Sequence, residues 1–429
     1  MNIKTKKKSK VWLVYILRCS DDSLYTGMTN NIEKRFAAHN QGTAAKYTRS
    51  RTPVKLITTS TKMNRSDAMR LEIKIKKMPR AKKISALEKT VTRRSSATGK
   101  KSQARIRARK ETPFFSREIL KAIVDLWQVR LKKLHHNIPV QGSPERSVFR
   151  VVLEDNNGKY FVLEQIPVKS LEHKKQIAAT LDFLAKNNLS RIQPYLVGQK
   201  GTHVIKYKNN FWQMTPFVQG VTLDREKYMY EKWRGRALAD FLIELRRKYH
   251  ALPFYDFHKV FSLKDYVYKL IREINLYNKD IKDDIKDIAN FLEKHFMPAY
   301  EKLPVAFCHG DYHPLNIIWS ADDIKCVIDW EFSGYKSEIY DVANLIGCVG
   351  VEDPQSLTGD LIKSFIANMK EAGIISKTSW KYLVEFIIAL RFAWLSEWLR
   401  RRDTEMISLE LDYMLLLIEN KSSLQKAWL

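Results

Sequence analysis

Three polar residues late in the chain have the types and the order that phosphoryl transfer needs. Asp311 lies in HGDYHPLN, Asn316 follows five residues later, and Asp329, in IDWE, thirteen after that. The reaction calls for a carboxylate to orient the attacking hydroxyl and for oxygen ligands to hold Mg²⁺ against the nucleotide phosphates. Asp311 suits the first task; Asn316 and Asp329 suit the second, as metal ligands and cofactor-binding residues. The interval between them must bring them together. Ile317–Trp319 reads as a short apolar strand, Ser320–Asp323 as a turn, and Ile324–Ile328 as a second strand. Such a hairpin folds Asp329 back beside Asn316.

Charge divides the chain. The 429 residues carry a net +28, but residues 1–112 hold 30 Lys and Arg against 7 Asp and Glu, and the remainder holds 45 against 40. A strongly basic end beside a nearly balanced body favours a polyanionic partner, DNA or RNA, for the basic end. Lys4–Lys10 alone would serve equally as a solubilising tail. Cys19, Cys308, Cys326 and Cys348 have neither metal-type spacing nor a disulfide framework, which points to a reducing, cytoplasmic setting. Val11–Leu17 is too short for a signal peptide and runs into Arg18, Asp21 and Asp22. Phe386–Leu390 is bracketed by Glu385 and Arg391, so no membrane span is expected. Oligomeric state leaves no trace in the sequence.

The pattern of elements gives an α+β chain in three parts. Residues 11–89 form a small module: strands at Val11–Leu17, Leu24–Gly27 and Pro53–Thr59, a helix Asn30–Asn40, and a helix Ser66–Met78 with apolar positions at helical spacing. Residues 90–112, rich in Ser, Thr, Lys and Arg without apolar periodicity, read as a basic flexible linker. Residues 113–429 form the larger part. There a helix is expected over Phe115–Leu134 and a hairpin over Val148–Glu154 and Tyr160–Ile166 through the Asn156–Gly158 turn. A helix Leu171–Lys186 and a strand Phe211–Phe217 follow, and then mostly helix.

The HGDYHPLN and IDWE motifs resemble the aminoglycoside phosphotransferase-like family, over residues 113–429. The resemblance implies a two-lobed, protein-kinase-like fold, with a small lobe of about 113–217 and a helical large lobe of about 218–429. It implies ATP and Mg²⁺ as cofactors and a small-molecule hydroxyl (sugar, amino sugar or amino alcohol) as acceptor. Asp311 takes the place of the catalytic Asp, and Asn316 and Asp329 those of the magnesium ligands. His309 and His313 become scaffold. Asp341, in YDVANL, becomes a support of the active-site loops, although a helix N-cap explains it equally well. Gln141–Ser147, with Gly142, falls where a loop covers the phosphates, and Phe217, Val218 and Gly220 where the interlobe hinge meets adenine. One position departs from the family. Relatives carry Lys or Arg in the strand where this chain reads YFVLEQI, so Glu164 faces the phosphates, a repulsive arrangement unless a base intervenes. Arg150, Lys169 and Lys206 are the candidates to supply that charge. On the late helices, Arg391, Trp394 and Trp398 share a face with Glu397 beside them; this suits an acceptor wall, but ordinary core packing is the favoured account.

The N-terminal stretch VYILRCSDDSLYTGMT places Tyr15 on one strand and Tyr25 and Gly27 on the next. Arg35 and His39 follow at i, i+4 on one helical face, then NQGTAAKYTR, then Glu72 on a later helix. This resembles the GIY-YIG nuclease superfamily in its small stand-alone bacterial form, with Val14 where the first glycine would be. Phosphodiester hydrolysis needs an activated water, a metal and a cation for the developing charge. By resemblance Tyr15 is the general base or its relay, Arg35 holds the phosphate, Glu72 binds a divalent metal, and His39 and Tyr25 orient neighbouring groups. The expected function is a small-molecule kinase fused to a metal-dependent endonuclease. The competing reading, motivated by Glu164, is a non-catalytic nucleotide or ligand sensor tethered to a nucleic-acid-binding module.

Overall fold

Near-continuous apolar character marks a strand covered on both faces, and LVYILR behaves this way. Strand β1 (Leu13–Arg18) buries all but its last residue. It is the centre of a three-stranded antiparallel sheet, β2 (Leu24–Thr29), β1, β3 (Lys55–Thr59). The period of two then sorts its side chains. Leu13, Tyr15 and Leu17 pack on one face with Tyr25 and with Ile32 and Phe36 of helix α1 (Ile32–Asn40). Val14 and Ile16 pack on the other with Ala68, Ile75 and Leu87, the last on helix α2 (Arg80–Thr92).

This computed structural model describes residues 12–41, 48, 51–63, 68, 71–72, 75–76, 78, 80–92, 115–138, 140, 147–225, 227–249, 260–278 and 281–428. The chain divides into two compact units, Met1–Arg109 and Lys110–Leu429. The Ser66 cap, Gly142 and residues 93–112 of the expected linker lie outside the described residues. Helix α2 continues through Thr92, past the expected boundary at residue 89.

The second unit opens with one clear departure from expectation. Phe115–Leu134 is not a single helix. Helix α3 (Arg117–Val124), capped by the Ser116 side chain, passes into a 3₁₀ turn at Asp125–Trp127. Gln128 then adopts a left-handed φ of 58°, which ends the helix. Leu131–His135 becomes β4, antiparallel to β5 (Phe149–Asp155). The sheet is completed by β6 (Tyr160–Ile166), β7 (Ile205–Tyr207) and β8 (Asn210–Pro216), in the order β4-β5-β6-β8-β7. Val151, Leu153, Leu163, Trp212 and Met214 turn to one face and pack with α3 residues Leu120 and Ile123. The opposite face is left for polar work. Helix α4 spans Leu171–Lys186, as the sequence predicts.

The large lobe is helical around two small antiparallel ribbons. Strands β9 (Val305–Cys308) and β12 (Gly334–Ser337) pair, which the sequence does not announce. The expected hairpin is present as β10 (Ile317–Trp319) and β11 (Ile324–Val327). Among the described residues no helix is long and apolar enough to cross a membrane. Leu163 lies fully buried in the small-lobe core. Leu163→Ala is therefore expected to cost about 2–5 kcal/mol, seen as a lower denaturation midpoint, while the large-lobe transition keeps its own midpoint if the lobes melt separately.

Candidate active sites

In the second unit the catalytic-type residues converge because register forces them to. Ile317 opposes Val327, and the Ile328 amide donates to the Asn316 carbonyl at 3.0 Å, so Asp329 emerges next to Asn316. Asp329 itself has a left-handed φ of 64°, an uncommon conformation for a non-glycine residue and one that clusters at functional sites. Asn316 Nδ2 donates to the Asp311 carbonyl at 2.9 Å and to Asp311 Oδ2 at 3.0 Å. Both bonds use the amide nitrogen, so its oxygen remains available as a ligand. That donor set, one carboxylate and one amide oxygen, fits Mg²⁺, which is held by few protein ligands and otherwise by phosphates and water. Among the described residues no group of three or more His, Cys, Asp or Glu is placed to hold a metal ion.

The loop bearing Asp311 is held from below. Buried Asp341, in the first turn of helix α5 (Tyr340–Glu352), accepts the His309 amide at 2.7 Å and the Gly310 amide at 2.8 Å. Burial raises its carboxyl above the usual range. Of the two roles open to Asp341, it therefore supports the loop. Gly310 has φ of 85°, and a Cβ there would sit 2.0 Å from the Phe332 carbonyl oxygen, so only glycine fits. His309 accepts the Asp311 amide at Nδ1 and donates from Nε2 to the Ile328 carbonyl, which makes it a strut between the two motifs. Burial pushes its imidazole down to about 4. Burial also opposes ionisation of Asp311, but His313, His309 and Asn316 outweigh it and hold the carboxyl below the usual range. A carboxylate kept ionised suits an acceptor of hydrogen bonds from a hydroxyl.

A cleft of about 800 Å³ joins these residues to the small-lobe sheet, lined by Arg150, Glu164, Phe217, Val218, Asn316 and Asp329 among others. Phe217 and Val218, expected at the hinge, are among its lining residues. The repulsion expected from Glu164 is absent. Its Oε1 is 2.9 Å from Arg150 Nη2 and 3.5 Å from Lys174 Nζ, and Gln213 Nε2 donates to its Oε2 at 2.6 Å. Burial raises its carboxyl, yet Arg150 and Lys174 prevail and hold it low. Lys174, on α4, also pairs with Glu331. Lys169 and Lys206 do not line the cleft; Lys206 Nζ lies over the Phe211 ring. Sequence reasoning missed Lys174, Gln213 and Glu331, although Glu164 itself was a signal that a buried cation had to be near. Arg391 is locked to Glu410 in a buried pair, as core packing predicts. Trp394 and Trp398 stack at 6.4 Å, half-buried, and the Trp394 ring lies 6.3 Å from His313.

In the first unit Tyr15, Arg35 and His39 also meet. Arg35 Nε donates to the Tyr15 oxygen at 3.4 Å. That leaves the phenol proton for His39 Nε2, 2.9 Å away, and His39 Nδ1 then donates to Thr48 Oγ1 at 2.7 Å. Thr48 is a member of this chain of bonds that the sequence did not reveal. Gly27 gives the phenol room, since a Cβ there would stand 2.6 Å from the Tyr15 oxygen. The Tyr25 ring packs at 5.0 Å from His39 and 6.3 Å from Tyr15. Glu72 is buried and bridged to Lys76 at 3.2 Å. Burial pushes Tyr15 up to about 12 and, with Arg35, pushes His39 down to about 4. Un-ionised Tyr15 and neutral His39 are thus joined by a hydrogen bond along which a proton can pass.

Comparison with known proteins finds one family in each unit. The phosphotransferase enzyme family matches residues 139–372 and the GIY-YIG catalytic domain matches residues 11–85. A UPF0213 protein of Nitratidesulfovibrio vulgaris is 44% identical over 81 residues, covering 19% of this chain and 74% of that protein. A UPF0213 protein of Clostridium perfringens is 55% identical over 71 residues, covering 17% and 76%. An aminoglycoside phosphotransferase from Alicyclobacillus acidocaldarius shares the fold with a TM-score of 0.55 at 13% identity, over 76% of this chain and 98% of that one. The chain belongs to the phosphotransferase enzyme family and carries, ahead of that part, a GIY-YIG domain of the UPF0213 kind.

The depressed His39 value has a sign. Between its ordinary 6.5 and about 4 the folded chain binds fewer protons at His39 than the unfolded chain. Its contribution to stability is therefore complete above pH 6.5 and is lost as pH falls towards 4. An NMR titration of histidine-labelled protein should show two imidazoles with midpoints near 4, those of His39 and His309, of which one is absent in His39→Gln.

Proposed function

We propose that the phosphotransferase part moves the γ-phosphate of ATP to a hydroxyl of a small molecule such as a sugar, amino sugar or amino alcohol. One observation supports the reading: Asn316 and Asp329 line the same cleft as Phe217 and Val218, and Asn316 is hydrogen-bonded to the Asp311 carboxylate. Asp311 aligns the acceptor hydroxyl and takes its hydrogen bond. Asn316 and Asp329 hold Mg²⁺, which when bound neutralises charge on the phosphates. Asp341 and His309 keep the loop rigid, so alignment costs no reorganisation at the moment of reaction. The half-buried Trp394–Trp398 stack beside His313 offers an apolar ring face to the acceptor. The sensor alternative drew its motive from an uncompensated Glu164, and the Arg150 and Lys174 contacts remove that motive.

For the first unit we propose metal-dependent cleavage of DNA or RNA. Arg35 holds the scissile phosphate, Tyr15 passes a proton from water to His39, and Glu72 binds the divalent metal. The excess of base in residues 1–112 supplies phosphate affinity that falls with salt.

Asp311→Asn should lower kcat for phosphate transfer by roughly 100-fold or more with ATP affinity unchanged; unaltered turnover against a panel of sugars, amines and alcohols refutes the assignment. Glu72→Ala should abolish metal-dependent nicking of plasmid DNA or structured RNA while binding persists, and equal nicking by the mutant removes Glu72 from the site.

A further inference from the structure

The unusual carboxylate in the phosphate-facing strand has a specific consequence. Residues directly opposed on adjacent strands project to the same face. Arg150 opposes Glu164 across β5–β6, and Glu164 opposes Gln213 across β6–β8. The three form one row across the cleft face, while the neighbouring row of Val151, Leu163 and Met214 points into the core. The row ends in a cation. Arg150 lines the same cleft as Asn316 and Asp329, and its side chain keeps 24% exposure. Lys174, the other cation near Glu164, has none, and is engaged by Glu164 and Glu331.

We infer that Arg150 is the residue that binds the nucleotide phosphates in this chain, that Glu164 is its positioning residue, and that Lys174 is a buried counter-charge that does not touch nucleotide. The inference rests on the proposed phosphotransfer reading. The strand residue is the acid Glu164, where relatives commonly carry a base, and the helix base Lys174 is buried, so the ligand-facing cation has to come from the next strand. Glu164 receives Arg150 Nη2 on one oxygen and Gln213 on the other, which restricts the guanidinium to one orientation. A planar guanidinium with five donors suits phosphate oxygens. Lys174 instead neutralises Glu164 from behind, so that the carboxylate can sit beside a polyphosphate without net repulsion. Asp311, Asp329 and Glu331 would otherwise leave this end of the cleft anionic.

The test compares ATP with adenosine, which fills the same hinge region but has no phosphates. Binding of each to the full chain is measured by calorimetry in Mg²⁺. Arg150→Met should weaken ATP by at least roughly tenfold, the scale of one lost charge-assisted hydrogen bond, and leave adenosine unchanged; Arg150→Lys should recover part of the loss. Glu164→Gln should weaken ATP by a smaller factor, again sparing adenosine. Lys174→Met should lower the thermal midpoint, and wherever it remains folded, the ratio of ATP to adenosine affinity should fall by less than in Arg150→Met, because background charge but no phosphate contact is lost; an equal or larger fall would place Lys174 on the phosphates and overturn the inference. Equal losses of ATP and adenosine in Arg150→Met would mean a merely structural role, and an unchanged ATP affinity would mean no role; either overturns the inference while the phosphotransfer reading stands. A parent chain that binds ATP no better than adenosine overturns both.

Discussion

The buried carboxylate of Asp341 is the constraint on which the second unit's site depends. It accepts two consecutive backbone amides, those of His309 and Gly310. The tight turn then requires a positive φ and a missing Cβ at residue 310. From that turn Asp311 is presented to the cleft, and His309 ties the turn to the Ile328 carbonyl. One buried charge, compensated by amides and by nearby Arg246 and Lys336, thus holds the loop that presents Asp311 and, through His309, the residue before Asp329. A buried acid so surrounded gains little stability on balance, so its value lies in the geometry it enforces.

The same logic of compensated burial governs the small lobe. Glu164 looks like a defect until its partners are counted. Two cations and one amide meet its two oxygens, and one of those cations also meets Glu331, two residues beyond Asp329. In addition to the apolar packing of Ile177 and Leu181 with Val327 and Trp330, the network links the sheet, helix α4 and the Asp329 segment by hydrogen-bonded charge. Such contacts are directional, so displacing one member alters the aim of the others.

In the first unit the sheet does comparable work by steric means. Central strand β1 puts Tyr15 on the face that also receives α1, and Gly27 clears the space its hydroxyl occupies. Helical spacing then brings Arg35 and His39 to that hydroxyl from one side. Burial shifts the two titrating groups in opposite directions, phenol up and imidazole down. Burial is the larger cause of both shifts, and the Arg35 charge adds to the fall at His39.

Much of this was legible in residue order. The strand–turn–strand interval between Asn316 and Asp329, the exact extent of α4, the i, i+4 pairing of Arg35 with His39 and the charge division of the chain follow from local pattern. So do the two family resemblances. Local pattern failed where a non-local partner decided the outcome. Leu131–His135 has nothing in its own composition that forbids helix; pairing with β5 makes it strand. Val305–Cys308 and Gly334–Ser337 are joined only by tertiary pairing. By itself the sequence determined which groups can do chemistry and which neighbours lie within a turn or a hairpin of them. Tertiary structure alone decided that Glu164 is answered by Arg150, Lys174 and Gln213, that Asp341 holds a loop, and that Thr48 completes the His39 chain. The physical reason is that strand register and burial, not distance along the chain, choose the partner of a buried charge.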